Sequence, residues 1–273
     1  MKRTAFYISD GTGITAETVG HAVLTQFDFI EFEHVSVPFT NTSGKITAII
    51  EQINQLDDAS DHRPVVFITL TNLEFSSQIN RDCNGIIVDI FNAFVKPLEL
   101  EFKHQSSIVT GVSHSLADRR SYDSRMDAIN FSLVHDDGAS LQHLKQAEVI
   151  LIGVSRSGKT PTSVYLAMQY GILAANSPLT DDDLESDSIP KYLKPFRRRV
   201  YGLTIDPERL HQIREKRRPD SKYSSLAQCR KEVQSAEEMY QHEKIPYLNS
   251  TTQSIEEIAT QITQDMNLKR RYY

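Results

Sequence analysis

Apolar positions along the chain fall into two alternating periods. Short runs rich in β-branched and aromatic residues read as strands at residues 4–8, 34–39, 64–69 and 85–90, and again at 149–152, 199–205 and 245–248. Between them, apolar residues recur every three or four positions. Examples are Val19, Ala22 and Val23, then Ile46, Ile49, Ile50 and Ile53, then Val164, Leu166, Ala167 and Tyr170. Further along come Leu210 with Ile213, and Ile255, Ile258, Ile262 and Met266 behind a Ser254-to-Glu257 capping box. Strands alternating with amphipathic helices predict an α/β fold with mostly parallel sheets covered on both faces. The pattern weakens over residues 102–122, which reads as a linker with mobile loops. A helix resumes through Arg125, Ile129 and Leu133 and stops at His135-Asp136-Asp137-Gly138. Residues 176–194, rich in Ser, Asp and Pro, read as a solvated loop that could serve as a lid. Residues 226–242 read as a polar, mostly exposed helix.

One stretch carries chemistry. The strand ending at Ile152 runs into Gly153-Val154-Ser155-Arg156-Ser157-Gly158-Lys159-Thr160, and the helical pattern follows at once. This is the P-loop spacing in its strand–loop–helix context. Gly153 and Gly158 allow tight turns, and the loop amides and the helix N-terminus then suit phosphate oxygens. Lys159 brings a mobile positive charge, and Thr160 a hydroxyl suited to Mg²⁺ bridging the phosphates. All eight residues, Gly153, Val154, Ser155, Arg156, Ser157, Gly158, Lys159 and Thr160, are therefore expected at a nucleotide. A chance glycine-rich turn would not bring strand, loop and helix together.

The segment Asp10-Gly11-Thr12-Gly13-Ile14-Thr15 also follows a strand and opens a helix, and it overlays Ser155 to Thr160. It has Ile14 where the second copy has Lys159. Two related α/β domains are expected, residues 1–140 and 141–273. Only the second keeps the P-loop, and the first is left for target binding or dimer formation.

Composition narrows the function. The chain has 273 residues and a net charge of −6, which argues against general nucleic-acid binding. The 2 Cys, Cys83 and Cys229, have no metal-type spacing. No apolar run approaches the ~20 residues of a membrane span and no secretory leader precedes the first strand, so a cytoplasmic enzyme is expected.

The loop with Pro161-Thr162-Ser163 and Tyr165-Leu166-Ala167 resembles the bacterial and plastid regulatory proteins of phosphoenolpyruvate synthase and of pyruvate, phosphate dikinase. So do Ser9 to Gly13, Ala128 to Phe131 with His135 to Gly138, and Gly202 to Leu210 with Ile213-Arg214. These stretches span nearly the whole chain in the family's order. The resemblance implies a bifunctional enzyme. It would phosphorylate a threonine of its target with ADP as donor, inactivating it. It would remove that phosphate with inorganic phosphate as acceptor, forming pyrophosphate. The implied target carries a catalytic phosphohistidine near that threonine. Ser157-Gly158 resembles the synthase branch, since dikinase regulators usually have Thr-Ser there.

Phosphoryl transfer to a threonine needs a group to take its proton. The candidates are Asp206 at a strand end and Asp136 and Asp137 before the P-loop unit. Lys159, Asp206 and Asp137 are taken as the catalytic set. Asp206 before Pro207 is also a helix-start signal, and Asp-Gly is a turn dipeptide. The cluster Lys191, Lys194, Arg197, Arg198 and Arg199 is either further charge for a polyphosphate or a solvated patch. The rival functions are an ATP-dependent small-molecule kinase, the same chemistry on the dikinase, and a nucleotide sensor without chemistry.

Overall fold

The strands at 4–8 and 65–69 are apolar on both sides of the chain, so they need a layer of helices on each face. In the computed structural model, which describes residues 2–59, 62–106, 119–138, 143–186 and 188–271, they receive one. The chain divides into two compact units, Met1–Ser115 and Leu116–Tyr273.

The first unit runs β1 (Lys2–Ser9), α1 (Ile14–Leu24), β2 (Glu31–Val37), α2 (Ser43–Ala59), β3 (Val65–Thr69), α3 (Leu73–Asp82), β4 (Ile86–Asp89) and α4 (Ile90–Phe102). Its sheet has the order β2-β1-β3-β4, and every pair is parallel. Side-chain alternation along β1 splits the core. Phe6 and Ile8 join Ile46, Ile49, Ile53, Val66, Ile68 and Ile79 on one face. Ala5 and Tyr7 join Ala16, Leu24, Phe67 and Ile90 on the other. The buried stripe of α1 is Ala16, Gly20 and Leu24, at a spacing of four, rather than the expected Val19, Ala22 and Val23. Val19 is only partly buried, and Val23 is 45% exposed. Small residues win this face because the helix lies close on the Tyr7 and Phe67 rings.

The second unit opens with α5 (Arg119–Val134) and a 3₁₀ turn, Asp136–Gly138. Then come β5 (Val149–Gly153), α6 (Lys159–Tyr170), β6 (Ala174–Pro178), α7 (Asp181–Glu185) and a 3₁₀ segment, Lys191–Arg199. It closes with β7 (Val200–Thr204), α8 (Pro207–Arg217), α9 (Leu226–His242), β8 (Tyr247–Asn249) and α10 (Ile255–Asp265). The sheet order is β6-β5-β7-β8, again all parallel. Both units therefore place their first strand beside their second and third, which is the expected pair of related parallel-sheet domains. β5 is buried along its whole length. Ile150 and Ile152 face one core cluster, and Val149 and Leu151 the other.

Three expectations change, and a fourth lies largely outside the described residues. The helix α5 packs on α6 and β6, and Ser132 Oγ donates to the Ala174 carbonyl at 2.9 Å, so the units part between residues 115 and 116 rather than at 140. The linker expected over 102–122 lies largely outside the described residues; α4 runs to Phe102 and α5 starts at Arg119. Residues 174–178 form a buried strand where a solvated loop was expected, because Asn176 and Ser177 find partners inside the unit. The acidic run that follows is helix α7, closed by a capping box between Thr180 and Asp183. Helix α9 buries Cys229, Val233, Ala236, Met239 and Tyr240, a stripe that its polar composition concealed.

Candidate functional site

The loop between β5 and α6 is shaped by what its backbone must avoid and what it must meet. At Gly153, a Cβ would come within 2.4 Å of the Leu203 carbonyl oxygen on β7, so only glycine fits. Gly158 caps α6 at φ 93, in the left-handed region that favours glycine. Gly13 holds the matching place before α1 at φ 83. Arg156 also takes a left-handed conformation, at φ 77, which is uncommon for a residue with a side chain and marks a held loop.

Three of the loop carbonyls are occupied. Val154 O accepts from Lys159 Nζ at 2.9 Å and from the Ser157 amide at 3.3 Å. Ser155 O accepts from Arg214 Nη2 at 3.1 Å. Ser157 O accepts from Ser250 Oγ at 2.9 Å. No peptide bond among the described residues is cis. In a trans peptide the N–H points opposite the carbonyl, so the amides of Arg156 and Gly158 turn away from Arg214 and Ser250. The first amides of α6 have no intrahelical acceptors and extend the same donor surface.

In front of the loop lies a hollow of about 600 Å³, lined by Ser155, Arg156, Lys159, Thr160 and, from the end of α8 and just past it, Arg217, Arg218 and Tyr223, with Gly158 and Pro161. Four of these residues are cationic and none is acidic. With the positive end of α6 added, the field favours an anion carrying several charges. The basic residues at 191–199 are placed differently. Arg197 pairs with Glu243 at 3.2 Å, and Arg199 Nη1 donates to the carbonyls of Lys145 and Ala147 at 2.6 and 2.7 Å. Those two arginines tie the unit together, and the hollow draws its extra charge from the end of α8.

Three expected carboxylates separate here. Asp206 caps α8, its Oδ1 accepting from the Glu208 and Arg209 amides at 2.9 Å each, with Pro207 at the first helical position. It lines a different hollow, with Arg230, Glu237 and Asn249. The side chain of Asp137 lies outside the described residues. Asp136 stands at the loop. The Asn176 amide donates to the His135 carbonyl at 3.0 Å, which lays the Asp136–Gly138 turn against β6. Asp136 Oδ1 then accepts from Thr160 Oγ1 at 2.8 Å and from the Asn176 side-chain amide.

Arg214, Arg217, Arg218, Tyr223, Asn176 and Ser250 were not identified as site residues from the sequence. Arg214 carried one signal: it sits four residues after Leu210, on the core side of its helix, where a charge needs a reason. The basic end of α8 read as ordinary helix-dipole complement, and Asn176 was hidden in a segment read as loop.

The two cysteines are buried and are not joined in a disulfide, and no cluster of three or more His, Cys, Asp or Glu could hold a metal among the described residues. No helix among them is long and apolar enough to cross a membrane.

Known proteins resemble the chain over its whole length. A protein from Marinobacter nauticus is 51% identical over 270 residues, 99% of each chain. One from Laribacter hongkongensis is 48% identical over 271 residues, 99% of each. One from Legionella pneumophila is 46% identical over 271 residues, covering 99% of this chain and all of the relative. Each is named "Putative phosphoenolpyruvate synthase regulatory protein". The model of the kinase/pyrophosphorylase family matches residues 5–263. With that match over nearly the full length, and with relatives about half identical from end to end, the chain belongs to the kinase/pyrophosphorylase family.

Proposed function

We propose that the protein regulates phosphoenolpyruvate synthase by reversible phosphorylation of a threonine, using ADP as phosphate donor one way and inorganic phosphate as acceptor the other. The observation that carries this reading is the loop Gly153–Thr160, with the Ser155 and Ser157 carbonyls held by Arg214 and Ser250 and the loop bordering a hollow of four cationic residues and no acidic one. Family membership supports a kinase and pyrophosphorylase, and the relatives' names supply the target.

In the forward reaction the loop amides and Lys159 hold the β-phosphate of ADP. The threonine oxygen attacks the β-phosphorus, the bond from that phosphorus to the bridging oxygen breaks, and AMP leaves. The threonine proton passes to a carboxylate. In the reverse reaction inorganic phosphate takes the place of the β-phosphate on the same loop, and one of its oxygens attacks the phosphothreonine phosphorus. The bond to the threonine oxygen breaks, pyrophosphate forms, and the threonine oxygen regains a proton. Most of the work is positioning and charge neutralisation, as in other phosphoryl transfers.

Thr160 Oγ1 and Asp136 Oδ1 are hard oxygen donors side by side at the start of α6. They fit Mg²⁺, which takes one or two protein oxygens and completes its shell with water and substrate phosphates. When bound, the ion would neutralise charge building on the phosphate oxygens. Asn176 fixes the Asp136 carboxylate for that task. Asp137, the next residue, keeps the proposed role of proton acceptor. Asp206 does not, because it caps α8 and lines a different hollow from the one at the loop.

The test is direct. The protein is incubated with phosphoenolpyruvate synthase, ADP and a substrate that forms the synthase phosphohistidine, and the synthase is then weighed by mass spectrometry. Gain of one phosphate on a threonine, with AMP released, supports the reading. An unmodified synthase, or transfer from ATP alone, overturns it.

A further inference from the structure

Arg214 stands behind the loop, on α8, with no exposed surface. A buried guanidinium is costly unless its charge and its N–H groups are met. Here all are met by a small set of partners. Nε and Nη2 donate to the Ser155 carbonyl at 3.3 and 3.1 Å, and Nη1 to the Tyr223 carbonyl at 3.0 Å. Glu232 accepts from Nη1 at 3.1 Å and Nη2 at 2.6 Å. The Tyr223 ring lies 4.2 Å from the guanidinium carbon, and its hydroxyl bonds Ser155 Oγ at 3.0 Å. Burial works against the charge, but Glu232, with Tyr223 and Cys229, more than offsets it, so the Arg214 pKa stands above its ordinary value.

Simple filling of the core does not call for such an arrangement. An apolar side chain of similar volume often does as well or better. What the charged fork adds is a grip on one carbonyl. With Ser155 O held by Arg214, the trans peptide sets the Arg156 N–H on the opposite side. Arg156, the next residue, stands at a left-handed φ of 77.

We propose that Arg214 is a positioning residue that fixes the Ser155–Arg156 peptide with its N–H aimed at the bound phosphate, supported by Glu232 and Tyr223. This rests on the reading of the loop as a phosphate seat. Arg214 touches no substrate, and it acts through the peptide it orients.

Lysine at 214 keeps the charge and loses the fork. Arg214→Lys and Glu232→Gln are compared with wild type in three measurements. These are melting temperature, calorimetric affinity for ADP, and the orientation of the Arg156 N–H from residual dipolar couplings in ligand-free protein. Arg214→Lys is expected to reorient that N–H and to weaken ADP binding about 10-fold or more, the size of a lost hydrogen bond to a charged group. Glu232→Gln leaves the bonds to Ser155 in place, so its N–H orientation is expected to match wild type. If Arg214→Lys does not fold, Tyr223→Phe decides. It keeps the ring and removes only the hydroxyl on Ser155 Oγ, and roughly threefold weaker ADP binding at wild-type melting temperature is expected. An unchanged N–H orientation or unchanged ADP affinity in folded Arg214→Lys overturns the proposal, as does unchanged affinity in Tyr223→Phe in the second case. A wild-type protein that binds no ADP fails the proposed function instead, and the N–H orientation in ligand-free protein still decides this inference.

Discussion

At the scale of single residues, the useful distinction is between a carboxylate that ends a strand and one that reaches the loop. Asp206 and Asp136 both sit beside turns, and the sequence offered each a cap or turn role and a catalytic one. The Asp206 oxygen is taken by two helix amides, and the Asp136 oxygen by Thr160 and Asn176. Asn caps a helix about as well as Asp. Asp206→Asn is therefore expected to keep both melting temperature and transfer rate. Asp136→Asn is expected to keep the fold and lose about 10²-fold or more in rate, the cost of removing one electrostatic stabiliser. Parallel rates and thermal scans of the two variants check this, and the reverse ranking would return Asp206 to the site. Lys159 and Thr160 were legible because their spacing from Gly153 defines them. Asp136 could not be ranked, because its partner Asn176 arrives from a strand 40 residues away.

At the scale of elements, strands and helices with β-branched or regularly spaced apolar residues were legible, and elements built on small or polar residues were not. β6, with the sequence Ala-Ala-Asn-Ser-Pro, has no β-branched residue and is buried only because its polar side chains are partnered. The α9 stripe was masked by a majority of polar residues around it. Where β5 meets the loop, packing leaves no room for error. Gly153→Ala would place a Cβ against the β7 backbone, so β5 and β7 must shift apart. A loss of about 1–3 kcal/mol is expected by denaturant titration, typical of overpacking. The capping box of α10 behaves differently. Hydrogen bonds from the Ser254 amide and hydroxyl hold the Glu257 carboxyl below its ordinary value. The sign follows from linkage: its contribution is present above the ordinary carboxylate pKa and is lost as pH falls through the lowered one. The melting-temperature gap between wild type and Glu257→Ala is therefore expected near neutral pH and should close in acid. A gap that widens in acid would contradict the assignment.

At the scale of the whole molecule, two units share a strand order, and the loops after their first strands carry different chemistry. In the first unit the loop after β1 keeps Gly13 but has Ile14 where the second has Lys159. Asp10 there accepts from the Thr71 amide and hydroxyl at 2.8 and 2.5 Å, which puts a carboxylate where an anion seat would need a donor. The overlay of the two loops was legible in the sequence because a glycine cap and a helix start leave a short, recognisable trace. The division between the units was not, because α5 precedes the β-strand it serves. One ADP site per chain is expected by calorimetry, and a second of similar affinity would mean that the first unit also binds nucleotide.

The central claim is that one loop seats both the β-phosphate of ADP and inorganic phosphate. The most direct measurement is the rate of pyrophosphate formation from phosphorylated synthase against inorganic phosphate, at several fixed ADP concentrations, for wild type and Lys159→Ala. Competitive inhibition by ADP is expected, with both transfer reactions lost together in Lys159→Ala. Purely noncompetitive inhibition, or a Lys159→Ala protein that forms pyrophosphate at the normal rate, would show that the two reactions use separate sites.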